Sequence, residues 1–511
     1  MANKEIIQGH AARLRVKAGV DKACDAVRPT LGPIGMTALI EWPGLDPIEC
    51  DDGVTILKNL EFKDRYENLG LQLLRKAAIR TSTEGGDGTA TTTVLTQALA
   101  NEAFKEIAND SSKIREVRER LTQGLEATLA TLSTIKRDVT EADIERIATI
   151  STLDSEVAKL IAEIIAEVGI NGVVTVEKGN KLGYSKEVVK GARFDKGLIS
   201  PYFINDHEHK QTVLEDAYIV LVDRKVSTNE QILSLLNSVG TGKDILIIAD
   251  DVDSVALATL AQNAVNKVAD IACVRNPYSA SRAREFLFDM AALTGATVIS
   301  EEMGMRLDTA TAELAGRAEK VVVTKDNCTI IGGKGSEALA ARITAIEGEI
   351  EATTSEYERS MLEERLATLT GGIGVIRVGA YTDTEFNAKK YKFENGVNAT
   401  QAALQEGILP GGGMALLNVS FRAEDKMFQR ALKAPIEQMA KNAGLDHYGS
   451  FSEDTLGIDF ATKEVGVDMF EAGIIDPFKV VRLALESATA IAKTLVGIET
   501  VIVTQDEPDK S

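Results

Sequence analysis

At about residue 172 the hydrophobic pattern of the chain changes period. Short apolar runs, GVVTVEKG, YIVLVDR, DILIIAD, ADIACV, ATVIS and KVVVT, follow one another up to about residue 324. Segments of helical spacing, such as NEQILSLLNSV and DSVALATLAQNAV, separate several of them. That alternation predicts an α/β region with parallel strands. On either side the period is helical. Residues 1–133 read as mostly helix, with Leu69, Leu73, Leu74 and Ala77 as one stripe that Gly70 weakens, and a further helix starting near Thr91. Residues 154–168 form the clearest amphipathic stripe, through Val157, Leu160, Ile161, Ile164, Ile165 and Val168, stopped by Gly169. Residues 336–369 predict a pair of antiparallel helices rich in Glu and Arg. Strand-like GVIRVGA follows Gly371 and Gly372, and the rest is mainly helical. If the two helical ends fold together, the middle is an insertion on two connecting strands. Such a layout suits hinged motion, with Gly191, Gly371, Gly372 and Gly407 as candidate flexible points.

Composition closes off other classes. A chain of 511 residues exceeds one hydrophobic core, so several domains are expected. A net charge of -20 sets the chain against nucleic acid and anionic membranes, and 5% aromatics leaves little for base stacking. No run approaches the ~20 apolar residues of a membrane span. The segment MANKEIIQGHAARLRVKAG lacks an apolar signal core, so a cytoplasmic protein is expected. Cys24, Cys50, Cys273 and Cys328 form no CxxC pair and have no histidine at ligand spacing. Reduced, buried thiols are therefore expected rather than zinc ligands or disulfides.

The sharpest local signal is Gly85-Gly86-Asp87-Gly88-Thr89-Ala90-Thr91-Thr92-Thr93 at the start of a helix. Glycines admit backbone N–H groups to phosphate oxygens, and the helix start adds unpaired N–H and positive dipole. Asp87 suits the Mg²⁺ that accompanies nucleotide phosphates. No Lys follows the last glycine, so this is not a Walker A loop, and a glycine turn with threonine caps is the competing reading. Thr30-Leu31-Gly32-Pro33 and Pro410-Gly411-Gly412-Gly413 are weaker candidates of the same kind. Asp51 and Asp52, before Gly53, suit a metal or water, or a solvated turn.

Together and in order, these pieces resemble the GroEL-type (group I) chaperonins over essentially the whole chain. TLGPIGM, DDGVTILKNLEF, GGDGTATTTVL, FDKGLISPYFIN, LIIADDV, ALTGATVISEEMGM, NATQAALQEGILPGGGMAL and GIIDPFKVVRLALESA carry the resemblance. It implies a multidomain α/β and α protein of the chaperonin fold. The equatorial domain would comprise 1–133 and 407–511, a small hinged intermediate domain 134–190 and 372–406, and an α/β apical domain 191–371. It implies ATP with Mg²⁺, and K⁺ as a further cation, in a pocket of Thr30, Leu31, Gly32, Pro33, Asp87, Gly88, Thr89, Ala90, Thr91, Ser151, Gly412, Asp459, Ile474 and Asp476. Asp52 matches an acid that assists hydrolysis. Leu198, Tyr202, Phe203, Leu233, Leu236 and Leu257 match an apical groove that holds unfolded polypeptide. Implied partners are six further copies in a seven-membered ring, unfolded client proteins and a GroES-like lid, with no nucleic acid or membrane. For each groove residue singly, core packing competes. A ring of exposed apolar grooves binds through many weak contacts, so avidity replaces specificity.

The departures from that family are informative. Asn395 stands where the family has an aspartate that positions the attacking water, and an amide cannot accept a proton as a carboxylate does. Ile34 replaces a usual lysine, Ala90 a threonine and Asp459 an asparagine, while Ala261 and Gln262 replace two valines of the groove. The chain ends DEPDKS without the family's flexible glycine–methionine tail. The segment from Gly413 to Pro435 is short, and Glu437 faces the position matched by Asp446 where a salt bridge between rings is usual. Weak ring-to-ring contact and an unusual, virus-encoded lineage are the resulting expectations. Three functions compete: an ATP-hydrolysing folding machine, a chaperonin-shaped holdase that scarcely turns over ATP, and an unrelated ATP-dependent transferase.

Overall fold

The computed structural model describes residues 4–41, 47–108, 110–152, 154–169, 172–179, 183–207, 209–279, 281–353, 355–449, 451 and 453–504. The DEPDKS tail lies outside them. Its contacts divide the chain into two compact units, Met1–Glu163 with Thr382–Ser511, and Ile164–Tyr381.

The first unit opens with β1 (Lys4–Gln8), α1 (Gly9–Val27), a 3-10 turn at Arg28–Thr30 and the hairpin β2 (Ala38–Ile40) and β3 (Ile48–Cys50). Helices α2 (Gly53–Asn59), α3 (Arg65–Gly85), α4 (Thr89–Ile107), α5 (Ile114–Ile135), α6 (Glu141–Thr152) and α7 (Ser155–Val168) follow. Asp64 starts α3 by accepting from Tyr66 N and Glu67 N, as an N-cap should. The buried stripe of α3 runs through Tyr66, Gly70, Leu71, Leu74 and Ala78; Leu69, Leu73 and Ala77 lie at its margin. The stripe is displaced because α1 crosses at Gly70. A Cβ on Gly70 would collide with the Val16 carbonyl, and one on Gly19 with that of Glu67. The two glycines let the helix backbones meet, so the residue that weakens the helix by propensity is the one its packing requires. In α7 the expected stripe is buried except for half-exposed Leu160.

The second unit carries β4 (Val173–Lys178), β5 (Tyr184–Phe194), β6 (Thr212–Val226), α8 (Asn229–Val239), β7 (Ile245–Val252), α9 (Ser254–Val265), β8 (Ile271–Arg275), α10 (Ser281–Thr294), β9 (Val298–Ile299), β10 (Gly316–Val323), β11 (Cys328–Gly333), α11 (Ser336–Ala352), α12 (Glu356–Thr370) and β12 (Gly372–Val378). They form one sheet in the order β4-β12-β5-β11-β10-β6-β7-β8, with β9 beside β6. Only β6, β7, β8 and β9, and the β4–β12 pair, are parallel. The other ladders are antiparallel, so the expected parallel strands form part of a mixed sheet. The cause is local: four residues join β10 to β11, enough for a hairpin and too few for a crossover. Side chains of β6 alternate between two cores. Ile219 and Leu221 meet α10, α11 and α12, whereas Val220 and Val222 meet α8 and α9. Asp289 of α10 binds Arg342 of α11 and Arg365 of α12, each at 2.8 Å, tying the predicted helix pair to the sheet.

The chain then returns to the first unit with α13 (Asp383–Glu406), β13 (Ile408–Pro410), α14 (Met414–Ser420), α15 (Lys426–Ala431), α16 (Ala434–Asn442), β14 (Leu456–Asp459), β15 (Glu464–Asp468), β16 (Ile475–Pro477), α17 (Phe478–Gly497) and β17 (Thr500–Thr504). β17 pairs antiparallel with β1, Lys4 opposite Thr504. The two ends therefore fold together, as the switch in period suggests. All four cysteines are buried and unbridged. Of the candidate flexible glycines, Gly407 holds φ +89°, whereas Gly191 lies inside the β5–β11 ladder. Replacing Gly70 with alanine gains helix propensity of about 1 kcal/mol but forces α1 and α3 apart, a strain of about 1–3 kcal/mol. The net expectation is a lower melting temperature for Gly70→Ala by calorimetry, whereas Ala at exposed Gly348 in α11 meets nothing and should not lower it.

Candidate functional site

The glycine loop is the joint between α3 and α4. Gly86 ends α3 at φ +82° and Gly88 caps α4 at φ +95°, both conformations that L side chains resist. Space enforces the same choice. A Cβ on Gly86 would strike Asn398 of α13, and one on Gly88 would stand 2.7 Å from Val480 of α17. The N–H groups of Thr89, Ala90 and Thr91, as the first turn of α4, have no intrahelical acceptor. The helix begins two residues earlier than its apolar period suggests, so Thr89 belongs to it.

The other predicted segments gather around this joint. Asp52 caps α2, accepting from Val54 N at 3.2 Å, Thr55 N at 2.8 Å and Thr55 Oγ1 at 2.6 Å. A Cβ on the neighbouring Gly53 would lie 3.0 Å from Thr89 Cγ2, so Asp52 is held beside the start of α4. Leu31, Ala90, Ile458, Met414 and Ile474 share one apolar cluster, which unites the Thr30–Pro33 turn, the glycine loop and the Gly411–Gly413 turn. Gly32 and Gly412 take φ +91° and +63°. Gly411 N donates to Ile474 O at 2.9 Å, and β13 lies against β16, setting Asp476 opposite Leu409. Asn395 is half-buried on α13, one turn before the Asn398 that packs on Gly86. The adjacent Gly396 packs on Thr152, next to Ser151. The Asp459 carboxylate accepts from Ala461 N at 2.8 Å and Thr462 Oγ1 at 2.9 Å, closing the β14–β15 hairpin. These bonds make it a turn residue in addition to the adenine-side role that the resemblance implies.

Three carboxylates share this cleft. Asp87 is hemmed in by protein while its side chain stays open to solvent; burial, and then the charge of Asp52, push its pKa up. Burial and the charge of Asp87 push Asp476 up to about 7. The side-chain charges that act on these two acids are those of other carboxylates, a donor set that suits a divalent cation. A polyphosphate with its cation fits the donors of α4 and the acids alike. Sequence reasoning missed Asn442, whose Nδ2 donates to Arg28 O at 3.0 Å and Leu31 O at 2.8 Å. Nothing local marks a residue that acts on a turn more than 400 positions away.

In the α/β unit, Tyr202 and Leu233 are 68% and 44% exposed, and Leu198, Leu236 and Leu257 are half-buried. Phe203, at 2% exposure, packs in the core between the sheet and helices α8 and α9, as the competing core-packing reading has it. Ala261 is buried and Gln262 exposed. Val255 and Val265, on the outer face of α9, add apolar surface that the sequence reading did not include. A cleft of about 750 Å³ at the ends of β6 and β7, lined by Asp223, Asp250, Tyr278 and Arg284, contains none of the predicted residues. In the helical unit, Glu437 accepts a hydrogen bond from the Tyr448 hydroxyl, whose pKa it helps burial to raise. Lys433 lies 4.9 Å over the Phe421 ring.

A helical unit closed by both chain ends, with a mixed α/β unit inserted and glycine turns around an acidic cleft, defines the chaperonin class. A model of the TCP-1/cpn60 chaperonin family matches residues 24–506, and the chain belongs to that family. Two crystal structures of the chaperonin gp146 from the bacteriophage EL 2 (Pseudomonas aeruginosa), both in the presence of ATP-BeFx, are similar in fold. Their TM-scores are 0.72 and 0.65, each at 22% identity, covering 98% of this chain and 99% of that one. Among the described residues no helix is long and apolar enough to cross a membrane.

The raised acids fix a sign for pH. A carboxyl shifted from an ordinary 3.8 to about 7 on folding stabilises fully below 3.8, and that contribution is lost as pH rises through 7. Without nucleotide or Mg²⁺, melting temperature should fall between pH 5 and pH 8, and Asp476→Asn should flatten that fall and melt several degrees higher at the upper end. Parallel pH profiles for the two proteins would contradict the assignment.

Proposed function

We propose that this chain is an ATP-dependent chaperonin subunit that forms a homo-oligomeric ring, binds non-native polypeptides on its α/β unit and promotes their folding. The observation that carries this reading is the meeting of the Asp87 loop with Asp52, Asp476 and the turns at Gly32 and Gly412. The N–H groups of Thr89, Ala90 and Thr91 would receive phosphate oxygens at the positive end of α4, with Ser151 approaching them from α6. Asp87 would hold Mg²⁺, which supplies charge neutralisation for phosphoryl transfer when bound. Leu31 and Ile474 offer apolar walls for the base, and Gly412 admits the ribose to the backbone. The chain is read as three functional domains, with α6 and α13 in the hinged intermediate part.

The proton acceptor is the open chemical question. Asn395 can orient water through its amide but not take a proton. Asp52 Oδ2 already receives two hydrogen bonds from Thr55, whereas Oδ1 receives one, from Val54, and keeps a free acceptor site. Asp52 is therefore the better general base in this chain. General-base help is worth ~10²–10⁴ in rate, so turnover is expected to be slow to the extent that Asp52 does not replace the carboxylate missing at Asn395. Asn395 is also the observation that favours a second reading, a holdase with little turnover. ATP-driven domain rotation would withdraw the groove and release the client.

Phosphate release assays test both readings together. Asp87→Ala should abolish Mg²⁺-dependent hydrolysis, and Asn395→Asp should raise the steady-state rate several-fold at similar nucleotide affinity. Hydrolysis by Asp87→Ala at the parent rate would remove the loop from the site; no hydrolysis by either the parent or Asn395→Asp would favour the holdase. For client capture, Leu233→Glu or Tyr202→Glu places charge on the exposed groove and should abolish protection of a denatured protein from aggregation, with the ring intact by light scattering. Full protection would move the binding surface elsewhere.

A further inference from the structure

Helix α16 supplies none of the residues assigned to nucleotide, yet it braces two of the turns that do. The Asn442 amide stands at its C-terminal end with both N–H bonds directed at one segment, Arg28 O at 3.0 Å and Leu31 O at 2.8 Å. These carbonyls bracket Thr30. The backbone bond that joins the two residues directly, Leu31 N to Arg28 O, is long at 3.3 Å, while Met36 N donates to Pro29 O at 2.9 Å from the far side of the turn. Gln438, one turn earlier, donates to Asn442 Oδ1 at 2.7 Å. That bond fixes the amide: rotated by half a turn, its oxygen would face two carbonyl oxygens and its NH₂ the Gln438 NH₂. Met439 completes the brace. A Cβ on Gly32 would lie 2.9 Å from Met439 Cγ, and one on Gly413 would lie 2.9 Å from Met439 Cε. One side chain thus touches both glycine turns.

We infer that Asn442 is a positioning residue for nucleotide binding, holding the Thr30–Leu31–Gly32 turn in its binding shape, with Gln438 orienting the amide. This rests on the nucleotide reading above. A pre-shaped turn lowers the ordering cost of binding and takes no part in bond breaking. Its loss therefore belongs in affinity rather than in turnover.

The test compares ATP titrations and steady-state kinetics of the full-length protein. Two hydrogen bonds of ordinary strength predict that Asn442→Ala raises the ATP KM and Kd about tenfold, with kcat within about twofold. Asn442→Asp is nearly isosteric but turns an acceptor towards both carbonyls, so its loss should be larger than that of alanine; a role in packing alone predicts no change. Gln438→Leu should raise KM about threefold, and should add nothing in combination with Asn442→Ala. Parent-like affinity in folded Asn442→Asp, or a loss confined to kcat, overturns the inference. If Asn442→Asp fails to fold by melting analysis, an unchanged KM in Gln438→Leu overturns it instead. A parent protein that binds no ATP, with Asp87→Ala indistinguishable from it, sinks the nucleotide reading and not the brace alone.

Discussion

The packing of α17 between α3 and α4 is the contact on which the rest of the helical unit depends. Its Ala484, Leu485, Ala488, Ala492 and Leu495 are fully enclosed in the main core. At its first turn Val480 presses on Gly85 and Gly88, so the shape of the glycine loop is set by a residue nearly 400 positions away. Asp476 enters the cleft two residues before the helix begins. Ser487 bonds Thr81 of α3 at 3.1 Å, and Arg482 binds Glu406 of α13, the helix that carries Asn395. One buried helix thereby coordinates the loop, an acid of the cleft and the element bearing the departure at Asn395.

The cleft itself is electrostatically incomplete. Burial first and carboxylate charge second raise the pKa values of Asp87 and Asp476, with Asp52 acting on Asp87 and Asp87 on Asp476. A folded protein tolerates such an arrangement when a ligand relieves it. Tyr448 holding Glu437 shows the opposite solution on another surface, where an acid is satisfied within its own chain.

Much of this was legible in the sequence, for physical reasons that differ by element. The glycine loop announced itself because backbone geometry at Gly86 and Gly88 admits no substitute. The helical ends and the α/β middle followed from period alone. β5 and β11 escaped because YSKEVVKGARF alternates with charge and CTIIGG is short and glycine-bounded. The stripe of α3 was displaced because period locates an apolar face but not the neighbour that crosses it at Gly70. Phe203 and Asp459 matched family positions, yet burial in one case and a hairpin turn in the other decide what each side chain touches. Asn442 was illegible because its role is a pair of contacts to carbonyls, which leave no mark in the pattern of side chains.

The pairing of β1 with β17 has a consequence for how the chain is made. Lys4 finds its partner at Thr504, so the helical unit cannot close until the chain has been synthesised through that strand. The unit Ile164–Tyr381 is complete more than a hundred residues earlier, and its sheet uses no strand from outside that range. Growing from its N-terminus, the chain can assemble the inserted unit while α1 to α5 still lack α17, their common core. During that interval the apolar faces of α3 and α4 stand open, and closing the unit carries the loop entropy of everything between. Until β17 emerges, this chain itself presents the kind of exposed apolar surface that unfinished chains present.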